Sequence, residues 1–261
     1  MTKEEKKRRE FLKNIAGLGV LGLAAMAGIY GANYLKAEEL ILRPPGAVDE
    51  ERFLALCIKC GQCLQVCPYD SIFLEDIDGK AGVGTAYIDP DKRGCYLCKA
   101  FPCILACPTG ALDHDKAEMK FIHMGMAIIV NESACLALYN KKVPDSAIDA
   151  IYDHSLALTK EEREQKRVFD ILNPSEKREL QVELLKKLEK FRGQDCTICA
   201  DLCPYLPDPS LAIGMVAKNG GYIPEIREKC VGCGACVELC PTDVLKIVPR
   251  ATYDEIYNKR G

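Results

Sequence analysis

The polarity pattern divides the chain into a long apolar run near the N-terminus, many short apolar segments, and a highly charged stretch at 140–194. Segments such as 85–88 and 221–224 combine tyrosine with isoleucine in short runs, which is typical of brief strands. Apart from the charged stretch, the pattern predicts little regular structure.

The charged stretch at 140–194 has helical spacing. Its large apolar side chains recur at intervals of three or four residues: Leu180, Leu184, Leu188 and Phe191. Thr159-x-x-Glu162 and the Asn-Pro-Ser-Glu segment at 173–176 are helix-start signatures. We therefore predict an inserted amphipathic helical segment whose apolar stripe packs into the core, with a docking face as the alternative.

The N-terminal apolar run, Ile15–Leu35, follows a segment of net charge +3 at residues 1–13, which is the layout of an export signal. Arg8-Arg9 followed by Glu-Phe-Leu-Lys resembles a twin-arginine (Tat) signal. We predict that residues 1–37 form this signal or an N-terminal anchor. A cytoplasmic membrane-anchoring helix with a chance arginine pair is the alternative.

Length and composition narrow the class of protein. The chain has 261 residues, of which 48% are hydrophobic, so it can bury a core and is not a disordered polymer. Its net charge is −3, and it lacks a long basic stripe. These properties exclude a nucleic-acid binder.

The 16 cysteines carry the clearest chemical signal. Fifteen of them fall into four groups with two to four residues between neighbours, whereas disulfide partners usually lie far apart in sequence. Each group ends in Cys-Pro. Group 1 is Cys57, Cys60, Cys63 and Cys67; group 2 is Cys95, Cys98, Cys103 and Cys107; group 3 is Cys196, Cys199 and Cys203; group 4 is Cys230, Cys233, Cys236 and Cys240.

The spacing within the groups indicates iron–sulfur clusters. Groups 1 and 4 match the bacterial ferredoxin run Cys-x2-Cys-x2-Cys-x3-Cys-Pro in full, and group 2 differs only by a longer middle gap. Gly61, Gly232 and Gly234 supply the backbone freedom that wrapping a cubane requires. Zinc is the alternative, but all-cysteine zinc sites typically use two CxxC pairs roughly 15–20 residues apart, and that pairing fails here.

Group 3 lacks one ligand, and the chain has one cysteine outside the groups, Cys135. Four cubane clusters need four thiolates each, so the ligand count nominates Cys135 as the sixteenth ligand, despite its distance from Cys196. A buried, inert cysteine is the alternative. We predict that His114, His123 and His154 are ordinary surface or packing residues, because sixteen thiolates already suffice.

The whole pattern resembles the ferredoxin-type NapG/MauM family. The resemblance rests on the twin-arginine signal, the two complete ferredoxin runs flanking group 2, and the Ala-Cys-Leu-Ala-Leu-Tyr stretch at 134–139 ahead of group 3. It covers nearly the entire chain except the insertion at 140–194. In that family the lone-cysteine stretch runs almost directly into the three-cysteine group, so the insertion is a departure.

We therefore expect an α+β fold of tandem bacterial ferredoxin-like units, each with two [4Fe–4S] clusters, short β-hairpins, irregular cluster-binding loops and an inserted helical segment. The first ferredoxin-like segment is expected at 48–134, a linker with the insertion at 135–195, and the second at 196–250, with a tail at 251–261.

In two-cluster ferredoxins the fourth cysteine of each group binds the other cluster. By analogy with related four-cluster subunits, groups 1 and 4 are expected to share clusters, and so are groups 2 and 3. The expected ligand sets are Cys57, Cys60, Cys63 and Cys240; Cys230, Cys233, Cys236 and Cys67; Cys95, Cys98, Cys103 and Cys203; and Cys135, Cys196, Cys199 and Cys107.

The resemblance implies an electron carrier with four [4Fe–4S] clusters rather than an enzyme. It would accept electrons from a NapH-like membrane iron–sulfur quinol oxidase and relay them towards periplasmic nitrate reductase or its electron carriers. The Tat translocase would export it to the periplasm, free or membrane-associated. The alternatives are an assembly or maturation ferredoxin for a periplasmic reductase and a MauM-like protein of methylamine utilisation.

Overall fold

The computed structural model describes residues 41–77, 82–164 and 174–258. The signal or anchor predicted at 1–37 lies outside these residues. So do Asn173 of the second helix-start signature and the last three residues of the predicted tail.

Short helices and two-stranded sheets make up most of the described chain. The helices are α1 Glu50–Leu56, α2 Gln62–Val66, α3 Pro102–Leu105, α4 Asp145–Glu164, α5 Pro174–Glu189, α6 Ile198–Asp201, α7 Ala235–Glu238 and α8 Tyr253–Tyr257. The strands are β1 Phe73–Leu74, β2 Ala86–Tyr87, β3 Gly125–Ile129, β4 Ile213–Lys218, β5 Gly221–Ile226 and β6 Leu245–Pro249. Single 3₁₀ turns lie at His114–Lys116, Met119–Phe121, Glu132–Ala134, Ala137–Tyr139 and Pro209–Leu211.

The strands form three separate antiparallel pairs. β1 pairs with β2 and β4 with β5, and each of these pairs joins neighbouring segments of the chain. β3 pairs with β6 from Gly125 opposite Pro249 to Ile129 opposite Leu245. The sequence analysis placed β3 in the first ferredoxin-like segment, but its partner strand lies in the second. The pairing of β3 with β6 therefore crosses the expected boundary at residue 135.

Four of the short helices each carry one cysteine: Cys63 on α2, Cys103 on α3, Cys199 on α6 and Cys236 on α7. Three of these helices begin after a residue in the left-handed region, with φ of 71° at Gly61, 43° at Phe101 and 83° at Gly234. Glycine adopts this conformation without steric cost, whereas Phe101 is held there by its buried side chain. The left-handed residue redirects the chain so that the helix returns its cysteine towards the preceding ones.

The apolar stripe of the insertion packs into the core along its C-terminal half. Leu188 on α5 is fully buried, and Leu184 and Phe191 are half-buried against the main hydrophobic core. Leu180, one turn further from the core, is 37% exposed. The packing face of α5 is therefore the one that the helical spacing predicts.

The first helix of the insertion begins earlier than its sequence signature indicates. α4 starts at Asp145, directly after Pro144, and continues without a break through Thr159. It contains no glycine or proline, and its first turns pack into the core through the buried side chains of Ile148 and Ile151. The prediction of a helix start at Thr159 is therefore wrong, because the capping-box spacing falls inside a helix already anchored by packing.

We predict that Leu188→Ala lowers the free energy of unfolding by about 2–5 kcal/mol, because it opens a cavity in a fully packed site. The matched control is Leu180→Ala, a change of the same size on the same helix at a partly exposed position, which should cost far less. Denaturant unfolding of the two variants and the wild type makes the comparison. Equal losses would contradict the assignment of the stripe to the core.

Candidate metal centre

Four cysteines from groups 1 and 2 surround the first site, site A. Cys57, Cys60, Cys63 and Cys107 line one cavity of about 390 Å³, part of it open to solvent. Burial, together with the neighbouring Cys57, Cys60 and Cys107 thiols, raises the pKa of Cys63 to about 12. Cys60 is exposed, and the exposed side chains of Ile58 and Leu74 line the same cavity.

Site B consists of Cys67, Cys95, Cys98 and Cys103. Burial, together with the neighbouring Cys67 thiol, raises the pKa of Cys98 to about 12. Burial also raises the pKa of Cys103, with contributions from Cys67, Cys95 and Cys98. Three of these cysteines are buried, so site B is more enclosed than site A.

Site C is formed by groups 3 and 4. Cys203, Cys230, Cys233 and Cys236 line a cavity of about 360 Å³. Burial, together with the neighbouring Cys230 thiol, raises the pKa of Cys203 to about 11. Group 3 thus supplies one cysteine to a site otherwise built from group 4.

Site D contains the cysteine that lies outside the groups. Cys135, Cys196, Cys199 and Cys240 line a cavity of about 330 Å³. Burial raises the pKa of Cys196 to about 11, with contributions from Cys240 and Cys135. The structure therefore brings Cys135 to group 3 across the insertion between them.

This arrangement corrects the expected sharing of ligands. Groups 1 and 2 exchange their last cysteines, and so do groups 3 and 4, instead of groups 1 and 4 or groups 2 and 3. The helices that carry the cysteines show why. α2 packs against α3, and α6 packs against α7, so the partners are groups that follow each other along the chain.

A repeated turn after the last cysteine of groups 1, 2 and 4 directs a backbone N–H at its sulfur. Three bonds to Sγ result: Ser71 N to Cys67 at 3.3 Å, Leu112 N to Cys107 at 3.4 Å, and Val244 N to Cys240 at 3.4 Å. In each turn the third residue after the cysteine has positive φ, namely Asp70, Gly110 and Asp243. Such N–H bonds stabilise negative charge on sulfur and tune the potential of a bound cluster.

The donor set fits iron–sulfur clusters. At sites A, C and D, four thiols and no histidine or carboxylate side chain line the cavity. Burying four thiolates together is unfavourable without a metal, which is why burial raises so many of the thiol pKa values. Among the described residues, no group of three or more His, Cys, Asp or Glu side chains is arranged to hold one metal ion.

Neighbouring sites are joined by cysteines close enough to influence each other's charge. Three pairs link the sites in series: Cys63 and Cys103 between A and B, Cys95 and Cys233 between B and C, and Cys199 and Cys236 between C and D. The sites therefore follow one another in the order A, B, C, D.

The sequence analysis missed a buried polar cluster between sites B and C, formed by Arg93, Tyr96 and Glu238. Nothing in the local pattern marks these residues.

Two of the histidines contact backbone carbonyls rather than lining a cavity: His114 Nε2 lies 2.8 Å from Cys107 O, and His154 Nε2 lies 2.8 Å from Lys92 O.

Comparison with known families agrees with this geometry. Residues 56–111 match the family model of a 4Fe-4S dicluster domain, and residues 223–246 match that of a 4Fe-4S binding domain. The first match spans groups 1 and 2, the two groups that share sites A and B. Fold and sites define a ferredoxin-type iron–sulfur protein, which carries electrons and is not a catalytic enzyme.

The chain is also similar to curated proteins over nearly its whole length. It is 29% identical over 251 residues to the methylamine utilization ferredoxin-type protein MauM of Methylorubrum extorquens, covering 93% of this chain and 89% of that protein. It is 26% identical over 257 residues to the ferredoxin-type protein NapG of Escherichia coli, covering 95% and 87%. The resemblance to ferredoxin-type proteins named NapG and MauM is therefore confirmed at 26–29% identity over nearly the whole chain.

No solved structure matches the chain. Within residues 41–77, 82–164 and 174–258, no helix has the length and apolar character needed to cross a membrane.

We predict that Cys135→Ser, Cys240→Ser and the double variant all lose the same cluster, because both cysteines line site D. Each should lose about four iron per chain, and the double variant no more than either single variant. Iron and sulfide analysis with EPR of the reduced proteins gives the comparison. A loss of about eight iron in the double variant would place the two cysteines in different sites, as the pairing of groups 1 and 4 requires.

Proposed function

We propose that sites A to D each hold one [4Fe–4S] cluster and that the chain relays single electrons between two protein partners. The observation that carries this proposal is the division of sixteen cysteines into four quartets with none left over. When bound, the clusters would supply reversible one-electron chemistry, and no substrate bond is made or broken.

The residues of the chain have distinct tasks in this proposal. The thiolates hold the clusters, and the N–H groups of Ser71, Leu112 and Val244 stabilise charge on three of the sulfurs. Sites A and D lie at the two ends of the series. Site A, with its exposed Cys60 and apolar rim, is the end that we assign to partner docking.

The family resemblance suggests the partners. In a NapG-like role, the chain accepts electrons from a NapH-like membrane iron–sulfur quinol oxidase and passes them towards periplasmic nitrate reductase or its carriers. The predicted Tat signal at 1–37 supports a periplasmic location, free or membrane-associated, because clusters are assembled before export and the Tat route moves folded proteins.

The second candidate is a MauM-like role in methylamine utilisation, favoured by 29% identity to the MauM proteins of Methylorubrum extorquens and Paracoccus denitrificans. A third is an assembly or maturation ferredoxin, whose clusters would assist a reductase without carrying its turnover electrons. All three share the four sites and differ in the acceptor.

We predict about 16 iron and about 16 acid-labile sulfide per chain in anaerobically purified protein, because each quartet binds one cubane. Chemical analysis for iron, sulfide and zinc provides the numbers, and low-temperature EPR after dithionite reduction identifies the clusters. Zinc without sulfide would overturn the electron-transfer proposal, whereas about 12 iron would leave one quartet empty.

We predict that periplasmic nitrate reductase rapidly reoxidises the dithionite-reduced protein when nitrate is present, if the relay is NapG-like. Stopped-flow absorbance of the iron–sulfur bands follows the reaction. The control variant Cys98→Ser interrupts site B, the enclosed second site of the series, and should slow the transfer.

Three outcomes separate the candidates. Reoxidation by nitrate reductase supports the nitrate relay. Reoxidation only by redox proteins of methylamine metabolism supports the MauM-like role. Reoxidation by neither, with inactive reductase in cells lacking the protein, supports maturation.

A further inference from the structure

The two ferredoxin-like units meet at Cys95 of site B. Its backbone N–H donates a 2.8 Å hydrogen bond to the carbonyl of Cys233, a cysteine of site C. The preceding residue, Gly94, lies so close to α7 that a Cβ there would stand 2.5 Å from Ala235 N. A direct hydrogen bond and a close backbone approach therefore join the loops of sites B and C.

One carboxylate secures this contact from the side of site C. Glu238 lies at the end of α7, between Cys236 and Cys240, and its side chain is 1% exposed. Its Oε2 accepts hydrogen bonds from Gly94 N and from the Tyr96 hydroxyl, each at 2.8 Å. These two donors flank Cys95 on either side.

A buried arginine completes the cluster. Arg93 Nη1 lies 3.3 Å from Glu238 Oε1, and the Arg93 side chain is 3% exposed. A buried ion pair seldom stabilises a fold more than packed apolar side chains would, but it imposes geometry, because either charge alone would be costly. The pair joins Arg93 from the first unit to Glu238 from the second, near the hydrogen bond between Cys95 and Cys233.

The loop that precedes Cys95 has two further contacts. His154 on α4 contacts the carbonyl of Lys92, next to Arg93. At the surface of the same junction, Lys246 on β6 forms an exposed ion pair with Asp91. Of these contacts, those of Glu238 are buried and reach both neighbours of Cys95.

We propose that Glu238 is a positioning residue that fixes Cys95 of site B against Cys233 of site C and so sets the relation between the two cluster pairs. This inference rests on the proposed function for its consequence, the coupling of clusters B and C. The positioning itself concerns only side chains and backbone of the chain.

The test is Glu238→Gln, which keeps the shape and one acceptor oxygen but removes the charge. Two readouts apply to the cluster-loaded protein: hydrogen exchange of the Gly94 and Cys95 amides, and the magnetic interaction between reduced clusters in EPR. We expect exchange at both amides to be faster by about fivefold to tenfold, since hydrogen bonds to charged groups are stronger than those to neutral ones. We also expect a weaker magnetic interaction at unchanged iron content.

Two further variants make the outcome decisive. Asp91→Asn removes the exposed ion pair across the same junction and should leave both readouts unchanged, because surface pairs contribute little. Tyr96→Phe removes a single hydrogen bond to Glu238 while keeping the ring, which packs 4.8 Å from Tyr69. Tyr96→Phe should shift both readouts in the same direction as Glu238→Gln but by a smaller amount. It serves as the test if the Glu238→Gln variant does not fold.

Exchange rates and EPR spectra equal to those of the wild type in both Glu238→Gln and Tyr96→Phe would overturn the positioning role. Effects of the same size in Asp91→Asn would also overturn it, because the loss of any contact at the junction would then have the same result. A wild-type protein without cubane signals would contradict the proposed function instead, and the exchange rates would still decide whether Glu238 positions Cys95.

Discussion

The constraint on which this structure depends is the need to bring four thiolates around each of four sites when groups 1, 2 and 4 each supply three cysteines to their own site and group 3 supplies two. The remaining cysteine comes from the paired group. Cys107 of group 2 lies at site A, and Cys67 of group 1 lies at site B. The loops that do so need left-handed residues, supplied by glycine at Gly61 and Gly234 and by a buried side chain at Phe101. Since no group is complete alone, each pair must fold as a unit.

Once the pairs are formed, the relation between them becomes the next constraint, because sites B and C meet through the Cys95–Cys233 hydrogen bond. The insertion contributes here. Gln181 on α5 donates to Asp70 Oδ2 at 2.9 Å, just after Cys67, while His154 on α4 contacts the loop before Cys95. Both contacts reach loops that carry ligands of site B, so the two long helices support the enclosed interior of the series rather than an exposed end.

The metal-binding groups of cysteines, the brief strands and the apolar face of α5 could be predicted from the sequence, since each depends on local spacing. Ligand sharing was not predictable, because the partner of Cys67 or Cys240 depends on which helices pack together, and the ferredoxin run is the same for every pairing. The pairing of β3 with β6 joins residues more than a hundred positions apart and has no local signature. The Arg93–Glu238 pair was missed for the same reason: its residues become partners only when the units dock.

The same reasoning explains why the pathway is harder to infer than the chemistry. Proteins named NapG and MauM match this chain over nearly its whole length, so the framework that arranges the cysteines does not distinguish the two. What can distinguish them is the surface around the terminal sites, where Cys60 is exposed beside Ile58 and Leu74, together with the potentials set by N–H bonds to sulfur. In a protein that transfers electrons without altering a substrate, specificity depends on docking and potential rather than on the identity of the ligands.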